Sequence, residues 1–375
     1  MKIGVSKEIL EGERRVGLIP ESVKKLISKG FTIAVEKGAG ESAHFTDDEY
    51  IEAGATLVDS AALAGCDIIC RVRHPSTDSE IQNLKDGALL FAILDPIQNI
   101  SSLDKLGAKK ISAFAMEFIP RTTLAQSMDV LSSMATIAGY KAVLLAAYEF
   151  GKFFPMLMTA AGTIQPARVL ILGAGVAGLQ AIASARRLGA IVEVFDVRPA
   201  VKEQVESLGG KFVEMEIDAS MQDEQGYAKE ATPEFLAKQK ELVRKHLAKS
   251  DICITTAQVF GKKAPVLVTE DMVKGMKGGS VIVDLAVETG GNVELSKPGE
   301  TVRVNDVKII GPVNLTSSMA NSASRMYSKN LENLITYLWK DNQLNLKDDD
   351  EIVNRTRVLK DGELVSQIVK TSVGR

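Results

Sequence analysis

An α/β fold of two Rossmann-like, doubly wound parallel-sheet domains, separated by a cleft and joined by two long helices, is predicted by three observations. Short apolar runs alternate with amphipathic stretches in both halves of the chain, the rhythm of parallel strands and crossover helices. One run, Val169 to Leu172, meets Gly173-x-Gly175-x-x-Gly178 and a small-residue helix, and the next run, Ile191 to Phe195, ends in Asp196. Two longer segments, Ser127 to Phe150 and Ala320 to Trp339, read as helices that leave the first domain and return to it. At 375 residues and 45% apolar composition there is enough chain for two cores.

In order, Ile3 to Val5 is a short strand, and Pro20 to Ser28 is a helix with proline at its start and Gly30 just past its end. Phe31 to Glu36 is a strand, then Asp47 to Ala53 a helix, and Ile68 to Val72, Ala88 to Leu94 and Ile111 to Ala115 are further strands. The Gly38-Ala-Gly40 of this half lacks the full glycine fingerprint. Ser127 to Phe150 is expected to be a buried helix ending in a turn at Pro155. Beyond Asp196, the pattern predicts a helix at Ala200 to Leu208, a strand at Lys211 to Met215 and a long polar stretch from Glu216 to Pro233. Strands at Ile252 to Thr256, Val281 to Leu285 and Val307 to Ile310 follow, and a polar hairpin is expected around Asp361-Gly362. The domains are therefore placed at 1–130 with 316–375, and at 131–315. The acidic run Asp348 to Glu351 lacks the spacing of a calcium loop and reads as a solvated turn.

Bulk properties exclude several classes. A net charge of −3 and a pI of about 5.9 point to neither nucleic acid nor an acidic membrane surface. The N-terminus lacks the basic and long apolar regions of a signal peptide, and Val130 to Thr163 is interrupted by Tyr140-Lys141, Glu149, Lys152 and Pro155. No direct membrane insertion is expected. Cys66, Cys70 and Cys253 have no histidine partners at metal-binding spacing and read as core thiols, so no metal site is predicted. His44, His74 and His246 form no triad pattern, and His74 reads as structural.

Chemistry is concentrated first in the glycine turn. Gly173 permits the tight turn, Gly175 lets a pyrophosphate approach the backbone, and Gly178 allows close helix–strand packing. The helix that follows offers free N–H groups and a positive dipole end to phosphates. Asp196, 23 residues beyond Gly173, stands where an acid binds an adenosine ribose, which favours NAD over NADP, although Arg198 lies two residues on. Val176 in the turn, Val197 beside the acid, and Thr256-Ala257 at the end of a strand complete the expected nucleotide site.

Other segments resemble a family. Gly4-Val-Ser-Lys-Glu8, Glu13-Arg-Arg-Val16 and Asp284-Leu-Ala-Val-Glu-Thr-Gly-Gly291 resemble the alanine dehydrogenase / pyridine nucleotide transhydrogenase superfamily. Alanine dehydrogenases carry lysines where Arg71 and Arg73 stand, and a histidine in the motif matching Ile93-Leu-Asp95-Pro96. A buried lysine can shift its pKa and carry a proton, whereas an arginine cannot. Glu288 aligns with a catalytic aspartate of that branch. Conversely, Arg121-Thr-Thr-Leu-Ala-Gln126-Ser-Met-Asp129-Val-Leu-Ser-Ser133 resembles the "RQD" loop of the NAD(H)-binding component of proton-translocating transhydrogenases. Gln225-Gly-Tyr227-Ala-Lys-Glu230 resembles that component's mobile loop.

The resemblance implies that NAD(H) binds here and NADP(H) on a partner domain, with membrane-spanning subunits carrying proton translocation. It implies a chain peripheral to the inner membrane, on the cytoplasmic side, working as a homodimer. Arg121 and Gln126 would hold the NMN half of the nucleotide, Asp129 and Ser132 would position the carboxamide or orient Arg121, and Tyr227 would be the lid. By residue chemistry alone, Ser127-x-Asp129 also reads as a helix N-cap. Hydride transfer between two nicotinamide rings needs alignment and dryness rather than an acid or base, which suits this inventory. An alanine-type dehydrogenase and a non-catalytic NAD(H)-binding module are the alternatives.

Overall fold

In this computed structural model, residues 1–215, 232–258 and 262–374 are described. The chain divides into two compact units, Met1–Met134 with Thr316–Arg375, and Ala135–Leu315.

The first unit alternates β1 (Lys2–Val5), α1 (Pro20–Ser28), β2 (Thr32–Glu36), α2 (Asp47–Glu52), β3 (Thr56–Val58), β4 (Ile68–Arg73), α3 (Asp78–Gln82), β5 (Leu89–Ile93), α4 (Ile100–Ala108) and β6 (Ser112–Ala115). Pro20 opens α1 because a first-turn N–H is unpaired in any helix, so proline forfeits nothing there. Thr46 and Thr77 start α2 and α3 with reciprocal capping boxes to Glu49 and Glu80. The six strands are parallel, in the order β3-β2-β1-β4-β5-β6.

The unit boundary falls within α5 (Val130–Glu149). The expected start at Ser127 is corrected: Gln126–Met128 is a 3-10 turn, and Asp129 caps the helix proper. The expectation of a buried helix also needs correction. Ala142, Val143 and Ala146 enter the second unit's core, but Tyr140 and Tyr148 are exposed and Leu144, Leu145 and Ala147 only half-buried. The helix is apolar all round, long and apolar enough to cross a membrane by length and composition, so no single stripe could hide it.

After α5 comes a two-stranded hairpin, β7 (Leu157–Thr159) and β8 (Gly162–Ile164), where the sequence suggests only a turn. The second sheet is built from β9 (Arg168–Leu172), α6 (Val176–Arg187), β10 (Ile191–Phe195), α7 (Lys202–Ser207), β11 (Lys211–Phe212), α8 (Pro233–Leu247), β12 (Ile252–Thr255), α9 (Glu270–Lys274), β13 (Val281–Asp284), β14 (Thr301–Val304) and β15 (Val307–Ile310). Its order is β11-β10-β9-β12-β13-β15-β14, parallel except for β14, an edge strand absent from the sequence-based expectation. The expected strand to Met215 ends at Phe212, and the expected helix from Ala200 opens as a 3-10 turn at Pro199–Val201.

The central strands β9, β12 and β13 read as near-continuous apolar runs because both faces are covered. Val169 and Ile171 of β9 join α5 and α6 in one core, while Leu170 and Leu172 join α8 and α9 in the other. The chain then returns through α10 (Ala320–Leu338), the small hairpin β16 (Trp339–Lys340) and β17 (Gln343–Leu344), α11 (Glu351–Thr356), β18 (Arg357–Lys360), β19 (Glu363–Leu364) and α12 (Gln367–Val373). β18 adds antiparallel to β6, so the hairpin at Asp361-Gly362 edges the first sheet. The acidic run is more than a solvated turn: Asp350 caps α11 and Asp348 pairs with Arg357 and Lys360.

Candidate functional site

In the second unit, β9 delivers the chain to the glycine turn and α6 begins directly after it. Gly173 has a φ of +103°, a region that only glycine enters freely, and its N–H donates to Phe195 O at 2.8 Å. A Cβ at Gly178 would lie 1.9 Å from Gly173 O, so helix and turn touch backbone to backbone. At Gly175 a Cβ would meet nothing within 4 Å, which leaves the side facing the helix N-terminus open. The turn is backed by α5, where a Cβ at Gly139 would lie 2.1 Å from Ala177 O. Gly139 escapes a reading of the sequence because a lone helical glycine gives no signal of what it touches.

Asp196 closes the turn. Its Oδ2 accepts the Ala174 N–H at 2.7 Å and the Arg198 Nη2 at 2.9 Å, while Oδ1 accepts Arg198 N–H at 2.9 Å and Nε at 3.0 Å. Burial by itself would raise this carboxyl, but the Arg198 guanidinium and the two backbone donors hold it below the usual carboxylate range. Val197 is exposed beside the pair.

Thr256 and Ala257 face the turn from the end of β12. Thr256 Oγ1 donates to Gly173 O at 3.1 Å, and a Cβ at Gly173 would come within 2.6 Å of it. Asn292, which the sequence does not single out, and Asp284, which opens the motif Asp284 to Gly291, hold this segment. Asn292, fully buried, accepts the Ala257 N–H at 3.0 Å and donates to Ala257 O and Pro265 O at 2.8 Å each. Asp284, also fully buried, accepts from Thr255 Oγ1 at 2.8 Å and from the N–H groups of Ala286, Asn292 and Val293. The polar end of the apolar run Val281 to Asp284 is the trace such a residue leaves in sequence. Tyr227 and its motif lie outside the described residues.

The first unit carries the other predicted residues. Ala125 and Met128 are buried anchors between which Gln126 stays exposed, and Arg121 is exposed as well. From α10, Asn330 and Asn333 donate to Ser127 O at 2.9 and 3.0 Å, which pins the loop. Asp129 is almost buried and accepts Ser132 N–H at 2.9 Å and Ser132 Oγ at 2.7 Å. The structure thus brings Asp129 and Ser132 together as the cap of α5. Among the described residues Asp129 forms no ion pair with Arg121, so it does not orient that guanidinium here.

At the carboxyl end of β4, Arg71 is buried between Glu80 at 2.6 Å and Glu8 at 3.4 Å, and Glu8 also accepts the Val72 N–H at 2.6 Å. Burial pushes Glu8 up despite the Arg71 charge, while the same guanidinium holds the less buried Glu80 down. Beside it, Asp95 adopts a φ of +44°, and its N–H and that of Leu94 donate to Glu117. Burial raises Glu117 to about 7. His74 Nδ1 lies 3.0 Å from Pro75 O, a local backbone contact. All three cysteines are free and buried, and no group of His, Cys, Asp or Glu suited to a metal exists among the described residues.

Comparison with known proteins also divides the chain within α5, although the second family model runs on into the returning C-terminal segment of the first unit. Residues 4–138 match the family model "Alanine dehydrogenase/PNT, N-terminal domain", and residues 142–367 match "Alanine dehydrogenase/PNT, C-terminal domain". The first part of the NAD(P) transhydrogenase alpha subunit of Rhodospirillum rubrum is 51% identical, over 97% of this chain and 98% of that one. A crystal structure of transhydrogenase from Sinorhizobium meliloti superposes with a TM-score of 0.89 at 46% identity, covering 97% of this chain and all of the other. Alanine dehydrogenase 2 of Staphylococcus aureus (strain USA300) is 32% identical over 78% of this chain and 74% of its own length.

Proposed function

The chain belongs to the alanine dehydrogenase/PNT family, and from that premise we propose that it is the NAD(H)-binding subunit of an NAD(P) transhydrogenase. The observation that carries the choice within the family is chemical. Where an oxidative deaminase needs a movable proton, this chain has Arg71 locked between two carboxylates and Asp95 with its backbone tied to Glu117. Bound nicotinamide nucleotide supplies a hydride from C4, which passes with its electron pair to C4 of NADP+ held on a partner domain.

The chain's own residues bind and align. The open face at Gly175 and the N-terminus of α6 fit a pyrophosphate, and Asp196 an adenosine ribose. Arg121 and Gln126 hold the NMN half, with Gln126 beside the nicotinamide; Asp129 and Ser132 shape the loop that presents them. Thr256 and Ala257 line the turn. Proton translocation belongs to separate membrane-spanning subunits, to which this chain docks from the cytoplasmic side. A homodimer is supported by the uncovered apolar surface of α5 and the hairpin, where Tyr148 is 85% and Met158 81% exposed.

Mixing the purified chain with an NADP(H)-binding domain should give rapid reduction of an NADP analogue by NADH. Binding of NADH without transfer would leave only a binding module, and robust NAD reduction by L-alanine would favour the dehydrogenase reading. In that assay Gln126→Asn should slow hydride transfer far more than it weakens NADH binding; an equal fall in both would make Gln126 a plain binding residue.

A further inference from the structure

Gly139 is the one glycine among the 20 residues of α5. Glycine inside a helix weakens it relative to alanine, so its presence there calls for a packing reason. Gly139 is buried, and Ala142, Val143 and Ala146 continue the same buried face at helical spacing. A Cβ at Gly139 would lie 2.1 Å from Ala177 O, 2.8 Å from the carbonyl carbon and 3.0 Å from the Cα. Ala177 is the second residue of α6. The contact is therefore with the backbone of that helix's first turn, which has no side chain to swing aside. The same turn is fixed by Gly178 packed on Gly173 O and by Thr256, whose Oγ1 donates to Gly173 O at 3.1 Å.

We propose that Gly139 is a positioning residue for the nucleotide's pyrophosphate, because its missing side chain lets α5 seat the first turn of α6 beside the open space at Gly175. The inference rests on the glycine turn being the nucleotide site. The first N–H groups of a helix have no partner within it, and a phosphate gains from them only at hydrogen-bond distance. A methyl group at position 139 could reach an ordinary van der Waals separation only if one backbone moved by about 1 Å. Ala142, Val143 and Ala146 lock α5 into the core, so the displacement falls on the end of α6 that meets the phosphates. Asp196, after β10, takes no part in the contact with Gly139, and the nucleoside end is spared.

The test is competition of ADP and of adenosine against NADH fluorescence, on the whole chain and on Gly139→Ala. ADP carries the pyrophosphate and adenosine carries no phosphate. The dissociation constant of ADP should rise on the order of tenfold, while that of adenosine stays within about twofold. A merely structural loss acts through the folded fraction and weakens both ligands by the same factor. If Gly139→Ala is too unstable to titrate, sucrose, which favours the folded state, returns it to the same assay. Equal losses for the two ligands overturn this inference alone. So does unchanged ADP affinity, with or without the gain in thermal stability that alanine brings to a helix free of such a contact. Failure of the unaltered chain to bind NADH and ADP overturns the nucleotide-site reading and this inference with it.

Discussion

The two units repeat one design and use it differently. In each, the second and third strands follow on one side of the first strand and the fourth lies on its other side, so the topological switch point lies between the first and fourth strands. In each, an acid at or just past the end of the second strand accepts an N–H from the second residue beyond the first strand: Glu36 from Lys7 at 2.8 Å, Asp196 from Ala174 at 2.7 Å. There the likeness stops. In the second unit three residues, 173–175, separate strand from helix, and the space at Gly175 is open. In the first unit residues 6–19 intervene, and Glu8, Glu13, Arg15 and Arg71 crowd the strand ends in buried ion pairs. A shared topology offers a place for a ligand, and the turn decides whether that place is a nucleotide cradle or a knot of structural charge.

Breaking each half should therefore give opposite signatures. Arg71→Ala leaves two carboxylates without their buried partner and should cost the fold about 3–5 kcal/mol in urea unfolding, with NADH affinity unchanged. Lost affinity in a folded variant would merge the two functions.

Glu117 offers a pH test of the first unit. Its folded pKa of about 7 lies above the reference 4.5, so its proton favours the fold below pH 4.5 and that contribution is lost as pH rises to 7. Glu117→Gln, which keeps an acceptor for Leu94 and Asp95, should gain up to ~3 kcal/mol relative to the unaltered chain between pH 5 and pH 8. Parallel melting curves at the two pH values check this. Asp196, with its lowered pKa, should act with the opposite sign, contributing above the usual carboxylate range and losing it in acid.

In the second unit, Gly178→Ala drives a Cβ into Gly173 O and should cost about 1–3 kcal/mol while removing NADH binding, a loss out of proportion to the destabilisation. Asp129→Ala should be smallest in stability, about 1 kcal/mol for a lost cap, yet should slow hydride transfer with the partner domain. If it lowers stability alone, its part is confined to starting α5.

Legibility in the sequence follows local chemistry. The strand Ile191–Phe195 and the helix Pro20–Ser28 are readable to the residue, because apolar run, proline and glycine all act over a few positions. The edge strand β14, with its exposed alternate residues, and the β7–β8 hairpin carry weak local signals and escape such a reading. α5 is readable as a helix but not in its burial, since an apolar circumference does not say which face finds a partner.

The glycine fingerprint and the acid after β10 are legible in the sequence by itself, because each works through covalent geometry and neighbouring backbone, whereas the loop from Arg121 to Ser133 is legible there only through its resemblance to a family's loop. Tertiary structure alone decided that Arg71 is held by Glu8 and Glu80, that Asn292 supports Ala257 and that Gly139 backs the turn. Those contacts join residues that lie far apart along the chain, and only packing brings them within hydrogen-bond reach.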